Sequence, residues 1–145
     1  MDSPQLIGKH PSFTSLLARL PLVARAGRPT LLTGETGVGK DVIAQQLRAL
    51  SPRACRPFVV VHCGALPDHL VEAELFGHRR GAFTGAVDPR AGLIRTAGEG
   101  TLFFDEINSL SAAAQARLLR FLESGEYRAV GADQAERSGA CVIAA

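Results

Sequence analysis

The chain of 145 residues carries 16 lysines and arginines against 14 aspartates and glutamates, which gives a formal net charge of +2. This length predicts one domain or part of a larger one, and the 46% hydrophobic content argues against a disordered chain. The small, dispersed charge argues against a nucleic-acid-binding or membrane-surface protein. No long apolar run or secretory signal is visible, and the three cysteines lack CxxC spacing, so we expect a cytoplasmic protein with reduced thiols.

The first half of the chain alternates predicted helices with short apolar strands. Apolar residues three to four positions apart predict a helix over residues 13–25, and a kink or an earlier end at Pro21 is the alternative. A short apolar run predicts a buried strand over residues 30–33, followed by a glycine-rich loop and a helix over Lys40–Leu50. The β-branched segment Phe58–His62 predicts a second buried strand of the parallel type.

The middle of the chain continues the alternation. Proline at the start and glycine at the end predict a helix over residues 67–77. A loop is expected over residues 81–86 and a single helical turn over residues 92–97. The apolar segment Thr101–Asp105 predicts a third strand.

The last third of the chain is predicted to hold one helix and one core strand. Ser111 can cap a helix that Gly125 ends. Three leucines of this helix are expected to face the core: Leu118, Leu119 and Leu122. A short strand over residues 127–130, a polar mobile loop over 131–139 and a core strand over 141–145 follow. Strands alternating with helices predict an α/β architecture with a parallel sheet, in which ligands bind beyond the carboxyl ends of the strands.

A glycine-rich loop lies between the first predicted strand and the helix that follows it. Glycines let several backbone N–H groups converge on one point, and the helix N-terminus adds partial positive charge, so the loop can bind phosphate. Lys40 is expected to reach the β- and γ-phosphates, whereas Asp41 stands where the general motif has a Mg²⁺-binding Ser or Thr. The alternative is a glycine-rich turn with a surface lysine. The predicted nucleotide-binding residues of the loop are Gly34, Glu35, Thr36, Gly37, Val38, Gly39, Lys40 and Asp41.

Two carboxylates follow the apolar strand Thr101–Asp105. Ionised groups at the end of a buried strand are costly without a cationic or hydrated partner, and nucleotide-bound Mg²⁺ is such a partner. Asp105 is expected to hold Mg²⁺ through its water shell, and Glu106 to orient the attacking water. The alternative is that both residues cap the following turn. Together with the glycine-rich loop, the pair predicts an ATP site.

The loop over residues 81–86 places one phenylalanine and one threonine among small residues. One interpretation is a tight turn in which Phe83 packs inward. The other is a flexible finger that presents an aromatic side chain to a partner protein, since aromatic residues dominate interface hot spots.

The segment ELFGHRRGAFTGA, residues 74–86, resembles the signature of bacterial enhancer-binding proteins, the AAA+ activators of sigma-54 RNA polymerase. The segments GETGVGKD, CGALPDHLVEAELFGH and GTLFFDEI lie in the order and spacing of that family, and the resemblance covers about residues 6–145. It implies a three-layer P-loop NTPase fold of the AAA+ type. It also implies ATP and Mg²⁺ as cofactors, assembly into a hexameric ring, and transcription activation through the sigma-54 RNA polymerase holoenzyme.

The resemblance assigns roles to single residues. Lys40, Asp105 and Glu106 match the catalytic positions of the Walker A and Walker B motifs, and Asp105 and Asp41 lie nearest the nucleotide-bound Mg²⁺. The sigma-54-binding loop corresponds to Gly81, Ala82, Phe83, Thr84, Gly85 and Ala86. The segment that lies against the adenine corresponds to Leu6, Ile7 and Gly8.

One residue departs from the family pattern. His62 stands where the family usually has an asparagine, which resembles a switch that holds the Walker B glutamate in an inactive pose. A neutral histidine can donate one hydrogen bond to Glu106, while the alternative is a histidine satisfied locally at a strand end. The four histidines show no metal-site spacing, so we predict no zinc site.

The family pattern extends beyond residue 145, with a sensor asparagine, arginine fingers, a fifth strand, a helical lid and usually a helix-turn-helix. Residues 1–145 are therefore expected to be a partial domain, truncated before the fifth strand and lid, with no receiver domain, direct DNA binding or membrane segment. Without a fifth strand, residues 30–33 should form an exposed apolar edge. The alternative function is a non-hydrolysing fragment that binds nucleotide or sigma-54, either inhibitory or without function; another AAA+ machine is a weaker alternative.

Overall fold

The computed structural model describes residues 8–67 and 69–145. The α-helices of these residues are α1 (Pro11–Ala26), α2 (Lys40–Leu50), α3 (Val71–Phe76), α4 (Leu93–Ala97) and α5 (Ala112–Ser124). The strands are β1 (Thr30–Leu31), β2 (Phe58–His62), β3 (Gly77–His78), β4 (Arg90–Ala91), β5 (Thr101–Asp105), β6 (Glu126–Tyr127), β7 (Glu136–Arg137) and β8 (Cys141–Ala144). Single turns of 3₁₀ helix, Cys63–Ala65 and Ile107–Ser109, follow β2 and β5.

Four parallel strands form the main sheet, in the order β1, β8, β5, β2. β2 pairs with β5 along its whole length, from Phe58 opposite Thr101 to His62 opposite Asp105. Because all four strands run in one direction, their carboxyl ends meet at the same edge, where open α/β sheets bind ligands. The predicted α/β architecture with a parallel sheet is confirmed.

The two faces of this sheet are both covered, because successive side chains of a strand point to opposite faces. Phe103 lies in a cluster on one face, with Ile43 and Leu47 of α2 and Leu20 of α1. The neighbouring Leu102 and Phe104 lie in the larger cluster on the other face, which includes residues of α3, α4 and α5. This burial on both sides explains why β5 is apolar without alternation.

One edge of the main sheet is formed by β1. The strand predicted over residues 30–33 is shorter, Thr30–Leu31, although the Leu32 backbone N–H still donates to the Ala144 carbonyl at 2.8 Å. Leu31 is 64% exposed. The apolar edge expected from the sequence is therefore present in the described part of the chain.

Helix boundaries follow the sequence closely, with one difference. α2 has its predicted ends, and α1 covers the predicted residues 13–25 and does not end at Pro21, since Leu20 and Ala24 are buried against α2 and hold its last turns. α3 begins at Val71 rather than at Pro67 and ends before Gly77, which has a positive φ of 81°. Proline at the predicted start therefore precedes the helix by about one turn.

α5 confirms the predicted caps and corrects one core residue. The Ser111 hydroxyl accepts the Ala114 backbone N–H at 3.3 Å, and Gly125 closes the helix in the left-handed conformation. Leu118 is buried, but Leu119 is 55% exposed and Phe121 is buried in its place. The correction follows from the 3.6-residue helical period, since positions 114, 118 and 121 share one face.

Two short hairpins were not predicted. β3 pairs with β4, and β6 pairs with β7 inside the segment expected to be a strand over 127–130 and a mobile loop over 131–139. In the second hairpin, the Tyr127 hydroxyl donates to the Glu136 carboxylate at 2.9 Å. Each hairpin strand has two residues, too few to give a hydrophobic pattern in the sequence.

Candidate functional site

A cavity of about 820 Å³ opens at the carboxyl edge of the main sheet. Its walls come from the loop after β1, the start of α2, the end of β2 and the turn after β5. The predicted site residues that line it are Gly34, Thr36, Gly37, Gly39, Lys40, Asp41, His62, Asp105 and Glu106. Glu35 and Val38 belong to the same loop but are not among the lining residues.

The loop before α2 owes its shape to two glycines in the left-handed region. Gly37 has φ of 83° and Gly39, the residue that caps α2, has φ of 86°. L-residues with side chains rarely adopt such values, so glycine is required for this turn. A Cβ added at Gly37 would meet no heavy atom within 4 Å, so the space at this point of the loop is open.

Lys40 is held by the carbonyls of its own loop. Its Nζ donates to the Gly34 carbonyl at 3.0 Å and to the Glu35 carbonyl at 2.9 Å. These bonds place the ammonium at the cavity wall while α2 fixes the backbone of Lys40 itself. The positive charge therefore lies at a helix N-terminus, where the backbone already favours an anion.

Asp105 ends β5 directly beside the end of β2. The two strands pair in register, and the His62 Nδ1 lies 3.4 Å from the Asp105 Oδ2. The sequence left open whether His62 contacts Glu106 or is satisfied locally at the strand end; within residues 8–67 and 69–145 the carboxylate at ion-pair distance from His62 is that of Asp105. The reason is strand register, which brings His62 opposite Asp105 and not opposite the residue after it.

Glu106 has an unusual backbone. Its φ of 56° and ψ of 49° lie in the left-handed region, and among the described residues Glu106 is the only non-glycine residue with a positive φ. Such a conformation costs on the order of 1–3 kcal/mol. The side chain lies over Gly64, where an added Cβ would come 2.5 Å from Glu106 Oε2. Gly64 therefore leaves room for the present position of this carboxylate.

Cys63 lies next to the two carboxylates but has the character of a core residue. Burial, and after it the negative charge of Asp105, raises the pKa of the Cys63 thiol to about 11. At neutral pH the thiol is therefore protonated, and it packs in the core cluster as a small apolar side chain.

The chemistry of the cavity fits a phosphate-bearing ligand with a divalent cation. One ammonium and three carboxylates, those of Asp41, Asp105 and Glu106, line it, and the glycine-rich turn at Gly37 leaves an open cradle. In the described part of the chain, no group of three or more His, Cys, Asp or Glu side chains is placed to hold a metal ion by itself. Oxygen ligands in small number suit Mg²⁺, which is commonly held by one or two carboxylates together with substrate phosphates.

The loop over residues 81–86 lies at the tip of the β3–β4 hairpin, away from this cavity. The Gly81 backbone N–H donates to the Ala86 carbonyl at 2.8 Å, which closes the loop. Phe83 is half-buried, with its ring edge-on to the His78 ring at 5.0 Å between centroids, while Thr84 is exposed. Phe83 thus leans inward, as in the interpretation of a tight turn, while the presentation of the loop to a partner stays a prediction.

A contact that the sequence did not indicate joins the base of this loop to the following hairpin. The Val130 backbone N–H donates to the Gly77 carbonyl at 2.8 Å, and the Arg79 N–H donates to the Val130 carbonyl at 3.0 Å. Residues 77–79 and 130 are about 50 positions apart, so no local pattern could have shown the pairing.

Two further expectations concern the termini and membranes. Leu6 and Ile7, expected to lie against an adenine, fall outside the described residues. Gly8 is described, but it is not among the residues that line the cavity, and a Cβ added to it would collide with the Phe13 ring. Among the helices of the described residues, none is long and apolar enough to cross a bilayer.

The chain is similar in sequence to a known transcription regulator. The chain is 46% identical over 145 residues to the anaerobic nitric oxide reductase transcription regulator NorR of Escherichia coli O7:K1, covering all of this chain and 29% of that protein. The chain therefore spans less than a third of the length of this relative.

Solved structures support the same fold. NtrX of Brucella abortus superposes with a TM-score of 0.86 and 26% identity in both its ADP and ATP complexes, over 97% of this chain and 30% of NtrX. A P-loop NTPase domain of an E. coli sigma-54 activator superposes with a TM-score of 0.60 and 19% identity, over 95% of this chain and 76% of that domain. The fold is thus that of the P-loop NTPases of the AAA+ type. The sigma-54 interaction domain profile matches residues 6–145, and the chain belongs to that family.

Proposed function

We propose that this chain binds ATP with Mg²⁺ and hydrolyses it, as a cytoplasmic module that couples turnover to remodelling of the sigma-54 RNA polymerase holoenzyme. The observation that carries the proposal is the convergence of Lys40, Asp105 and Glu106 on one cavity at the carboxyl edge of the sheet. Family membership and the nucleotide complexes of NtrX support it.

The phosphates would be bound by the glycine-rich loop. Its N–H groups and the α2 N-terminus stabilise negative charge, and Lys40 can exchange the Gly34 and Glu35 carbonyls for phosphate oxygens. Asp41 and Asp105 would hold the hydrated Mg²⁺, which neutralises charge on the phosphates when bound. Glu106 would orient and polarise the attacking water as a general base.

The loop over residues 81–86 would contact sigma-54. Thr84 is exposed at its tip, and Phe83 can leave the His78 ring for an apolar site on the partner. Aromatic side chains contribute strongly to interfaces because they bury a large area with few rotatable bonds. In this proposal the loop engages the partner from a hexameric ring, and contact with DNA is made by other parts of the assembly.

A second candidate function is nucleotide binding without turnover. It is favoured by the composition of the cavity wall, whose described lining residues include Lys40 but no arginine. A transition-state arginine is worth about 10³–10⁵ in turnover in related phosphoryl transfer, and it can be supplied by another chain. Turnover would then need a ring in which a neighbour completes the site.

Nucleotide binding and hydrolysis by the Lys40→Ala variant test the main proposal. We expect the affinity for a fluorescent ATP analogue to fall roughly 10–150-fold, because a charge-assisted hydrogen bond contributes about 1.5–3 kcal/mol. The matched control is Lys9→Ala, which removes the other lysine of the chain at an exposed position. Equal affinity in both variants would overturn the proposal; binding without phosphate release, alone or with an intact activator, would favour the second candidate.

The partner contact is tested by Thr84→Ala. We expect weaker binding to sigma-54 holoenzyme with an unchanged affinity for nucleotide, because the exposed hydroxyl lies outside the cavity. Binding is measured by pull-down with the nucleotide-loaded chain. If Thr84→Ala lost both sigma-54 binding and nucleotide binding, the loop would have a structural role instead.

A further inference from the structure

His62 and Asp105 form a side-chain pair fixed by the main sheet. They occupy equivalent positions at the ends of the paired strands β2 and β5, so both side chains leave the same face of the sheet. The His62 Nδ1 lies 3.4 Å from the Asp105 Oδ2. The pair is at the cavity mouth, with the His62 side chain 66% exposed and the Asp105 side chain 35% exposed.

Two of the other charged groups of the cavity, Lys40 and Glu106, have contacts of their own. Lys40 donates to carbonyls of its own loop, and the Glu106 carboxylate lies over Gly64. Within the part of the chain that the structure describes, His62 is the only basic side chain that lies within 4.0 Å of the Asp105 carboxylate. The orientation of Asp105 therefore depends on His62 more than on any other side chain that lines the cavity.

We propose that His62 is a positioning residue that acts through Asp105 and sets how strongly Mg²⁺ enhances nucleotide binding. With Nδ1 3.4 Å from Oδ2, the ring in its Nδ1–H tautomer can donate to this oxygen and restrain the rotation of the carboxylate, without a change of net charge. Groups that hydrogen-bond to metal-holding carboxylates typically change metal affinity by about 10–100-fold when they are removed. The inference rests on the proposed function, since it concerns the Mg²⁺ that accompanies the nucleotide.

His62 is proposed to act on Asp105, which is expected to hold the metal, rather than on Glu106, which is expected to orient the attacking water. An effect of His62 exerted through Glu106 would change turnover while leaving the Mg²⁺ dependence of binding intact. An effect exerted through Asp105 changes the Mg²⁺ dependence of binding itself. The two possibilities therefore differ in an equilibrium measurement that does not require hydrolysis.

The test is the affinity of the full chain for a fluorescent ATP analogue, measured in excess Mg²⁺ and in excess chelator. For the unsubstituted chain, we expect Mg²⁺ to tighten binding. In His62→Ala, we expect this Mg²⁺-dependent gain to fall about tenfold or more, with the affinity in chelator unchanged. In His62→Asn, whose side-chain amide can donate in place of Nδ1, we expect most of the gain to be retained.

Two controls make the outcome decisive. His69→Ala removes an exposed histidine that does not line the cavity, and we expect no change in either condition. In an Asp105→Asn background, the further change His62→Ala should have no additional effect on the Mg²⁺-dependent gain. An unchanged gain in His62→Ala would overturn this inference and leave ATP binding standing, whereas absence of nucleotide binding by the unsubstituted chain would overturn both.

Discussion

The chain has two glycine-rich loops whose structural support differs. The loop of residues 34–41 lies between β1 and α2, and its lysine is hydrogen-bonded to its own carbonyls. The loop of residues 81–86 lies between two strands of two residues each, and the backbone at its base is hydrogen-bonded to Val130. Similar glycine content thus serves two purposes, a cradle fixed on the main sheet and a projecting loop on a small hairpin.

In the proposed function, the two loops have different physical requirements. A site that binds phosphate needs preorganised N–H groups on a rigid scaffold. A loop that engages a partner needs few contacts, because motion concentrates where few buried contacts and few protected hydrogen bonds exist. Substitutions in the core and at the hairpin test how far each loop depends on the rest of the fold.

The largest effect is expected from the core that supports both loops. Phe104 is fully buried beside Leu102, so Phe104→Ala should lower the free energy of unfolding by about 3–5 kcal/mol. Chemical denaturation measures this change. Leu119→Ala, on the exposed face of α5, is the matched control and should change it by less than about 0.5 kcal/mol. Similar losses in both variants would contradict the assignment of the α5 core face.

A smaller and more local effect is expected at the base of the hairpin. Gly77 has φ of 81°, and an added Cβ would lie 2.6 Å from the Arg90 carbonyl oxygen. Gly77→Ala should therefore cost about 1–3 kcal/mol and loosen the hairpin, with nucleotide affinity unchanged. Denaturation and nucleotide titration are measured on the same preparation.

The matched control for the hairpin is Gly81→Ala. Gly81 has φ of 76° but nothing within 4 Å of an added Cβ, so this variant carries the backbone strain without the collision. We expect Gly81→Ala to be the milder of the two. If Gly77→Ala also weakened nucleotide binding, the two loops would be structurally coupled in the chain as it stands.

The smallest effect is a pH dependence in the hairpin formed by β6 and β7. Burial, followed by the hydrogen bond to Glu136, raises the pKa of Tyr127 from 10.0 to about 12. Because the folded state favours the neutral phenol, its contribution to stability is complete below pH 10.0 and is lost as pH rises through about 12. The free energy of unfolding, measured across this pH range for the unsubstituted chain and for Tyr127→Phe, checks the sign. If the pH dependence persists in Tyr127→Phe, another group causes it.

Much of the fold could be predicted because its main elements have strong local patterns. β2, α2 and β5 have their predicted bounds, since a continuous apolar run or a helical stripe marks each of them. Leu119 was misassigned because three neighbouring leucines left the orientation of the helix stripe ambiguous. The short hairpins were missed because a pair such as Gly77 and Ala91 leaves no periodic signal in the sequence.

The sequence by itself determined the family and the α/β order of elements, and it supplied the residues that we propose bind phosphate and metal. These depend on residue type and spacing, which a linear pattern contains. The tertiary structure alone decided that His62 lies against Asp105 and that Val130 holds the base of the loop at Gly77. Both contacts join segments more than 40 positions apart, and strand register, a property of the assembled sheet, selects which residues meet.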